Sequence, residues 1–252
     1  MNNSTGNYFL KGFSLANKSL DIFFISVLLS LASFIPDFLE NSPIIKILSF
    51  ATFLLFFIQT GFSMSIPLFL VDKQQNKRLN YHDMWSVVLR NTKRMILPVI
   101  LFLVLVMALG FTLLFITAFN TIQSGGDFKQ IVTSIQNLPN SLQDWNPIFL
   151  VVTGLFSLLI FTPIYFSIEN KGIFSSIKRS LIFSFKNLNF ILILITIDGI
   201  YSFISTLIPF SIENKIWLIT VLGGYLNFIM TASAFLYYKS KKSKQADLFI
   251  RR

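Results

Sequence analysis

Long apolar runs alternate with short polar and basic segments along this 252-residue chain. A helix needs roughly 20 mostly apolar residues to cross the hydrocarbon core of a bilayer. Six stretches reach or approach that length, and the first, which is short, is extended at its start by Ser19–Asp21. They are Ile22–Pro36, Ile44–Val71, Met95–Phe119, Ile148–Ile168, Leu188–Pro209 and Ile216–Tyr238. The pattern predicts an all-α fold, a polytopic membrane helical bundle with six transmembrane helices.

Three further segments carry apolar residues at helical spacing with basic residues at the edges, and each leads into a predicted span. The shared faces are Phe9, Phe13, Ala16 and Leu20; Trp85, Val88, Leu89 and Thr92; and Phe174, Ile177 and Leu181. This pattern is typical of helices that lie in the headgroup region. We expect cytoplasmic interfacial amphipathic helices, each followed by a two-span hairpin in a threefold repeat. Shared composition is the alternative to a true repeat.

Composition favours lipid over water as the solvent of these helices. Hydrophobic residues make up 54% of the chain and charged residues only 13%, and thirty residues are Phe. Soluble domains average about 25% charged residues, so a soluble fold could not bury so much apolar surface. We expect one membrane domain at residues 22–238, a cytoplasmic arm with an interfacial helix at 1–21, and a basic tail at 239–252 that is disordered or lipid-associated.

Basic residues concentrate at alternate loops. Eighteen of the 21 lysines and arginines lie in the terminal segments and after the second and fourth predicted spans, whereas Lys46, Lys129 and Lys215 lie on the other side. Such loops stay cytoplasmic, so both termini are predicted to be cytoplasmic. The net charge of +10 is therefore a topology signal, and no nucleic-acid partner is expected. Usage rich in Lys, Asn, Ile and Phe is typical of an AT-rich bacterium, which favours the bacterial inner (cytoplasmic) membrane.

The basic residues beside the interfacial segments are candidate lipid-headgroup contacts. They are Lys178, Arg179, Arg90, Lys93 and Arg94. A basic side chain close to an anionic leaflet gains about 1 kcal/mol. Membrane lipids, including anionic ones, are therefore expected partners, and a membrane-protein partner is a second possibility. The alternative is that these residues only fix the topology.

A few polar residues fall near the middle of predicted spans. Asp198 is the one acidic residue within the spans, and Asn227 and Gln59 lie at similar depth. Because an Asp at the bilayer centre costs about 2.5–3.5 kcal/mol, we expect it to face protein or water rather than lipid. Two readings of this midplane polar cluster stay open: hydrogen bonds that hold the bundle together, or a cation or proton site on a transport route.

Chemistry-bearing motifs are sparse. The chain has no cysteine and a single histidine, His82, without a partner pattern for a metal or for acyl transfer. No phosphate loop, dinucleotide fingerprint or zinc-protease motif occurs. We expect no cofactor, no metal and no enzymatic activity. Glu169–Gly172 is most simply a span end and turn, with headgroup binding as the alternative.

Two predictions concern local shape. Pro67 and Pro163 are expected to kink their spans, because proline lacks the backbone N–H and its ring clashes with the preceding turn. The one sizeable loop on the outer side, residues 120–146, is expected to contain a helix over Phe128–Leu138 that covers span ends or acts as a lid.

One stretch resembles a known family. Glu169–Phe190, ENKGIFSSIKRSLIFSFKNLNF, combines a glycine, an alternating apolar and basic centre, a serine, and a Lys-Asn pair before the next span. It resembles a bacterial membrane family that includes the six-span membrane domain fused to some glycerophosphodiester phosphodiesterases. The resemblance implies a helical bundle with in-plane cytoplasmic helices and no established activity. The phosphodiesterase chemistry belongs to a soluble domain that is not part of this sequence, so no catalytic residue is carried over.

These observations favour a non-enzymatic membrane-organising or accessory protein whose interfacial helices contact lipid or a partner protein. The alternative is a small-solute or lipid-related transporter that uses the midplane cluster around Asp198. An intramembrane enzyme ranks third, because the candidate nucleophiles have no base at a recognisable spacing.

Overall fold

The computed structural model describes residues 5–32, 45–77, 80–123, 154, 157–207 and 219–250. Its helices are α1 (Thr5–Asn17), α2 (Leu20–Ala32), α3 (Ile45–Gln74), α4 (Tyr81–Gln123), α5 (Thr162–Ser167), α6 (Ile173–Lys186), α7 (Leu188–Leu207) and α8 (Gly224–Ile250), with a π-helical turn at Ile219–Gly223. No strand occurs within these ranges, so the all-α prediction is confirmed there. The predicted outer-side helix Phe128–Leu138 lies outside the described residues.

The chain forms two compact units. The first comprises Met1–Met95 and Leu155–Arg252, and the second comprises Ile96–Gly154. In the second unit the described part is almost entirely the C-terminal portion of α4, whose large apolar side chains, such as Phe111 and Phe115, are mostly exposed. The side-chain contacts described below all belong to the first unit.

Several helices are long and apolar enough to cross a membrane. Ala51–Gln74 of α3 and Tyr81–Thr112 of α4 qualify individually. The pairs α1–α2 and α6–α7 qualify only if each pair counts as one bent span. The described residues therefore support two to four crossings, fewer than the six that hydropathy predicts.

The second predicted interfacial helix is not a separate element. Tyr81–Gln123 is one 43-residue helix, in which the amphipathic turns around Trp85 and Val88 continue into the apolar span without a break. Pro98 lies inside this helix and does not end it. Only the first and third interfacial helices are separate elements.

The fourth predicted span is interrupted in its described part. Leu159–Phe161 form a turn, and the short helix α5 begins at Thr162 with Pro163 in its first turn. The cause is local: Pro163 cannot donate to the carbonyl of Leu159, and the N–H of Thr162 binds that carbonyl instead at 2.8 Å. Pro163 therefore begins a new helix rather than kinking a continuous one. By contrast, Pro67 lies inside the uninterrupted α3.

The basic tail begins as a helix. Helix α8 continues through Tyr238 to Ile250, where the sequence favoured a disordered or lipid-associated segment. Its first turn beyond the predicted span is attached to the rest of the unit. Lys239 Nζ donates to Gln74 Oε1 at 2.7 Å, and the hydroxyls of Ser240 and Tyr8 lie 2.6 Å apart.

Aromatic side chains dominate the core of the first unit. Five phenylalanines are almost completely buried there: Phe62, Phe161, Phe166, Phe190 and Phe235. They come from α3, the turn before α5, α5 itself, α7 and α8. The ring of Phe190 stacks on Tyr237 with centroids 4.2 Å apart. This ring pair joins the start of α7 to α8.

Candidate membrane-interface site

Two helix pairs bend sharply at the end of the unit where the basic residues gather. The axes of α1 and α2 differ by 78°, and those of α6 and α7 by 98°. In each pair an amphipathic helix precedes a strongly apolar one. If α2 and α7 cross a bilayer, these angles place α1 and α6 close to its plane.

Side-chain hydrogen bonds stabilise both bends. At the first, Ser19 Oγ donates to the carbonyl of Leu15 at 2.9 Å. At the second, Asn187 leaves the helical conformation, its Nδ2 donates to the carbonyl of Phe183 at 2.7 Å, and its Oδ1 accepts from the Tyr237 hydroxyl at 2.9 Å. Ser and Asn favour such bends because they offer the backbone an alternative to helical pairing.

Helix α6 packs against the protein through three serines, together with Phe183 and Ile173, while its other phenylalanines face outward. Ser176, Ser180 and Ser184 are spaced four residues apart and fully buried. Phe174 and Phe185 are 68% and 59% exposed. In a soluble protein Phe174 and Phe185 would be expected to be buried as well, because large apolar residues gain most from burial. An outward apolar face is what a helix needs when its surroundings are lipid.

The buried serines are held by the break before α5. Because the N–H of Thr162 has turned to Leu159, the carbonyl of Leu158 lacks its usual helical donor. Ser180 Oγ and Ser184 Oγ both donate to this carbonyl, at 3.0 and 2.7 Å. The proline-induced break therefore creates the acceptor that docks α6.

Helix α1 is arranged in the same way. Gly12 packs directly on Ser233 of α8, and a Cβ built at Gly12 would lie 2.8 Å from the Ser233 Cα. Leu10 and Phe13 point outward and are 69% and 44% exposed. Gly12 and Ala16 face the protein together with Tyr8 and Leu15, whereas Leu10 and Phe13 face away from it.

A carboxylate joins α6 to α8. Glu169, in the loop before α6, accepts from Arg179 at 3.2 Å, from Lys242 at 2.6 Å, and from the Tyr238 hydroxyl. Burial by itself raises the pKa of this carboxyl, but the hydrogen bonds from Lys242 and Tyr238 and the nearby positive charges outweigh burial. The pKa of Glu169 therefore lies below its ordinary value. The sequence marked Glu169 as a span end but could not show its partner 73 residues away.

Arg94, a predicted headgroup contact, makes its hydrogen bonds within the protein. Its guanidinium donates to the backbone carbonyls of Lys171 and Phe166, at 2.6 and 3.3 Å, and to Asn91 Oδ1 at 3.3 Å. It also lies 4.0 Å from the centroid of the Phe166 ring. With these donors in use, Arg94 ties α4 to the α5–α6 loop.

The other candidate headgroup residues differ in their freedom to bind. Lys178, Arg90 and Lys93 are exposed, and none forms an ion pair among the described residues. Arg179 is exposed but shares the Glu169 carboxylate. Lys186, which is not among the predicted contacts, is exposed two turns after Lys178. The i, i+8 spacing of the two lysines was the signal that could have identified it.

The three predicted midplane residues are not joined to one another. Gln59 Nε2 donates to Ser30 Oγ of α2 at 2.9 Å. Asp198 is half-buried on α7, and Asn227 is on the exposed side of α8. No hydrogen bond connects any two of Asp198, Asn227 and Gln59, all of which the structure describes. Whether they act together stays a prediction.

The π-helical turn has one polar neighbour on α7. Tyr201 follows Asp198 by one helical turn, and a Cβ built at Gly223 would lie 2.8 Å from the Tyr201 hydroxyl oxygen. Among the described residues, no group of three or more metal-ligating side chains occurs.

The described residues thus form an all-helical protein with apolar helices long enough to cross a membrane and two amphipathic helices set nearly at right angles to apolar ones. No protein-family model matches this chain, and no curated protein or solved structure shows significant similarity to it. The resemblance of Glu169–Phe190 to the phosphodiesterase-fused membrane domains therefore stays a prediction.

Proposed function

We propose that this chain is a six-span protein of the bacterial inner membrane, with both termini in the cytoplasm, and that it acts as a non-enzymatic membrane-organising or accessory protein. In this proposal α1 and α6 lie in the plane of the cytoplasmic leaflet. Their outward faces contact lipid or a partner protein at that surface.

One observation carries the proposal: the bend that follows α6 coincides with an outward apolar face. The 98° bend turns α6 away from the axis of the apolar helix α7. The same helix exposes Phe174 and Phe185 while burying serines. The two facts have a common explanation when α6 lies at a membrane surface, with α7 as the span. Helix α1 supports the proposal with a bend of 78°.

The charge distribution supports the proposed orientation. Arg179, Lys242 and Lys73 all lie at the end of the unit where the amphipathic helices bend. Two of them share Glu169, and Lys73 pairs with Asp21 at the start of α2. Basic residues at one end of a helical bundle favour the cytoplasmic side.

A transporter is the second candidate, favoured by one observation. Asp198 and Tyr201 lie one helical turn apart on α7, and Tyr201 contacts the π-helical turn at Gly223. Such turns are frequent at functional sites. A proton or cation route through this region would depend on the Asp198 carboxylate.

A deletion strain complemented with matched variants separates the two candidates. Phe174→Ser/Phe185→Ser removes the outward apolar anchors, Phe174→Leu/Phe185→Leu preserves them, and Asp198→Asn removes the intramembrane charge. An accessory role predicts that the Ser pair loses complementation of the lipid profile while the Leu pair and Asp198→Asn retain it. The opposite result would replace this proposal with a transporter. In that result Asp198→Asn accumulates normally but fails to complement the small-metabolite profile, whereas the Ser pair complements fully.

A further inference from the structure

The outward face of α6 alternates apolar and basic side chains on successive turns. Phe174, Lys178, Ile182 and Lys186 are spaced four residues apart, and all four are exposed. Residues at this spacing are neighbours along one side of a helix. Each lysine therefore lies one turn from an apolar residue that would be inserted at the membrane surface.

The charge of this face is uniform. The sequence of α6, IFSSIKRSLIFSFK, contains three basic residues and no acidic residue. The nearby Glu169 carboxylate is occupied by Arg179 and Lys242. Lys178 and Lys186 form no ion pair with any described residue, so their charges are available to an external anion.

We propose that α6 is an anionic-phospholipid-selective helix, in which Phe174 and Ile182 insert at the acyl boundary while Lys178 and Lys186 bind lipid phosphates. Lysine can do this because its aliphatic stem lies along apolar surface while its ammonium group remains among the headgroups. Ser176, Ser180 and Ser184, on the opposite side, fix the rotation of the helix and hence the direction of the lysine row. This inference rests on the proposed in-plane position of α6.

Helix α1 provides an internal comparison. It also exposes apolar residues, Leu10 and Phe13, and two exposed lysines accompany it, Lys11 within the helix and Lys18 directly after its last residue. Lys11 is adjacent in sequence to Leu10, and consecutive helical residues do not share a face. The lysines of α1 are therefore not interleaved with its apolar side chains, and α1 is expected to bind lipid with little headgroup selectivity.

The test uses the full-length protein in nanodiscs of equal phosphatidylglycerol and phosphatidylcholine, with retained lipids counted by native mass spectrometry. Each lysine near an anionic surface contributes about a five-fold preference. We expect Lys178→Gln/Lys186→Gln to lose roughly 25-fold of the phosphatidylglycerol enrichment. Lys178→Arg/Lys186→Arg should keep the enrichment, and the charge-matched control Lys11→Gln/Lys18→Gln should change it far less.

A depth measurement separates failure of this inference from failure of the proposed function. The chain has no cysteine, so a spin label at Ser175→Cys on the exposed side of α6 reports its position through oxygen and nickel accessibility. Lipid selectivity alone is overturned if the label lies at the interface and either of two results is found. The two glutamine pairs show equal phosphatidylglycerol enrichment, or the unsubstituted protein shows no enrichment. A label in bulk water in both phosphatidylcholine and phosphatidylglycerol vesicles overturns the in-plane position as well.

Discussion

Gly12 is the point of closest approach between α1 and α8, so its replacement by alanine tests how α1 is docked. A Cβ at this position would lie 2.0 Å from Ser233 Oγ and 2.8 Å from both Ser233 N and Cα. Carbon atoms pack at about 3.5–4.0 Å. The hydroxyl could rotate away, but the backbone atoms of α8 could not, so Gly12→Ala must push the helices apart.

The expected cost follows from two opposing effects. Forcing an extra methyl group into a closely packed contact costs about 1–3 kcal/mol, and the two backbone contacts favour the upper end. Alanine in a helix is intrinsically better than glycine by about 1 kcal/mol. The net prediction for Gly12→Ala is a loss of about 2 kcal/mol in the free energy of unfolding, or roughly thirty-fold in the ratio of folded to unfolded protein.

The assay is equilibrium unfolding of the detergent-solubilised protein by SDS, followed by tryptophan fluorescence. Gly6→Ala is the matched control in the same helix, because no atom lies within 4 Å of its Cβ position, and it should be neutral or slightly stabilising. Ser233→Gly should rescue Gly12→Ala only in part, since the backbone contacts remain. If Gly12→Ala were as stable as Gly6→Ala, the close packing of α1 on α8 would be refuted.

Three further substitutions test the contacts around the α5–α6 loop by the same unfolding measurement. Arg94→Lys loses the planar guanidinium, whose Nη2 binds two carbonyls while Nη1 binds Asn91, and should destabilise by about 2 kcal/mol. Lys93→Gln, on an exposed neighbour, should stay within about 0.5 kcal/mol; equal effects would contradict the inward role of the arginine. Because the folded pKa of Glu169 is lowered, its ionised contacts stabilise the fold above the unfolded pKa of 4.5, and this contribution disappears as pH falls through the folded pKa. Glu169→Gln should therefore lose less stability than the unsubstituted protein on acidification, and parallel pH profiles would exclude the ion-pair role. Ser180→Ala and Ser184→Ala each leave one donor on the shared carbonyl, so the double substitution should cost about 1 kcal/mol more than the two singles combined; strict additivity would show that the carbonyl finds another donor.

Hydrophobic periodicity predicted helix type and several helix positions correctly. The third interfacial segment, centred on Ile177, corresponds to α6, and the span predicted to start at Leu188 corresponds to α7, which begins at that residue. Both predictions are correct because the residues before Asn187 follow an amphipathic pattern, whereas the residues after it form a continuous apolar run. The fourth span was predicted to kink at Pro163, but the sequence did not show that the N–H of Thr162 would turn to Leu159 and that a new helix would begin there.

The difference between the second interfacial segment and the other two has a local cause. The bends follow Lys18-Ser19 and Lys186-Asn187, where a short polar side chain hydrogen-bonds the neighbouring backbone. The corresponding pair in α4 is Lys93-Arg94. Arginine is a good helix former and does not cap the backbone in this way, so α4 continues through it. The predicted threefold repeat would thus contain two units with a bend after the amphipathic helix and one unit in which the helix continues straight into the span.

The side of each amphipathic helix that faces the protein could not be deduced from periodicity alone. The usual rule turns the large apolar face inward, and it would have buried Phe174 and Phe185. When the surroundings are themselves apolar, that rule loses its physical basis, because lipid solvates Phe as well as a protein core does. Close packing of small residues and satisfaction of backbone carbonyls then decide the orientation, as Ser180 and Gly12 do here. In α6 the serines at i, i+4 spacing mark the helix face that meets the protein, and Phe183 lies on that face with them.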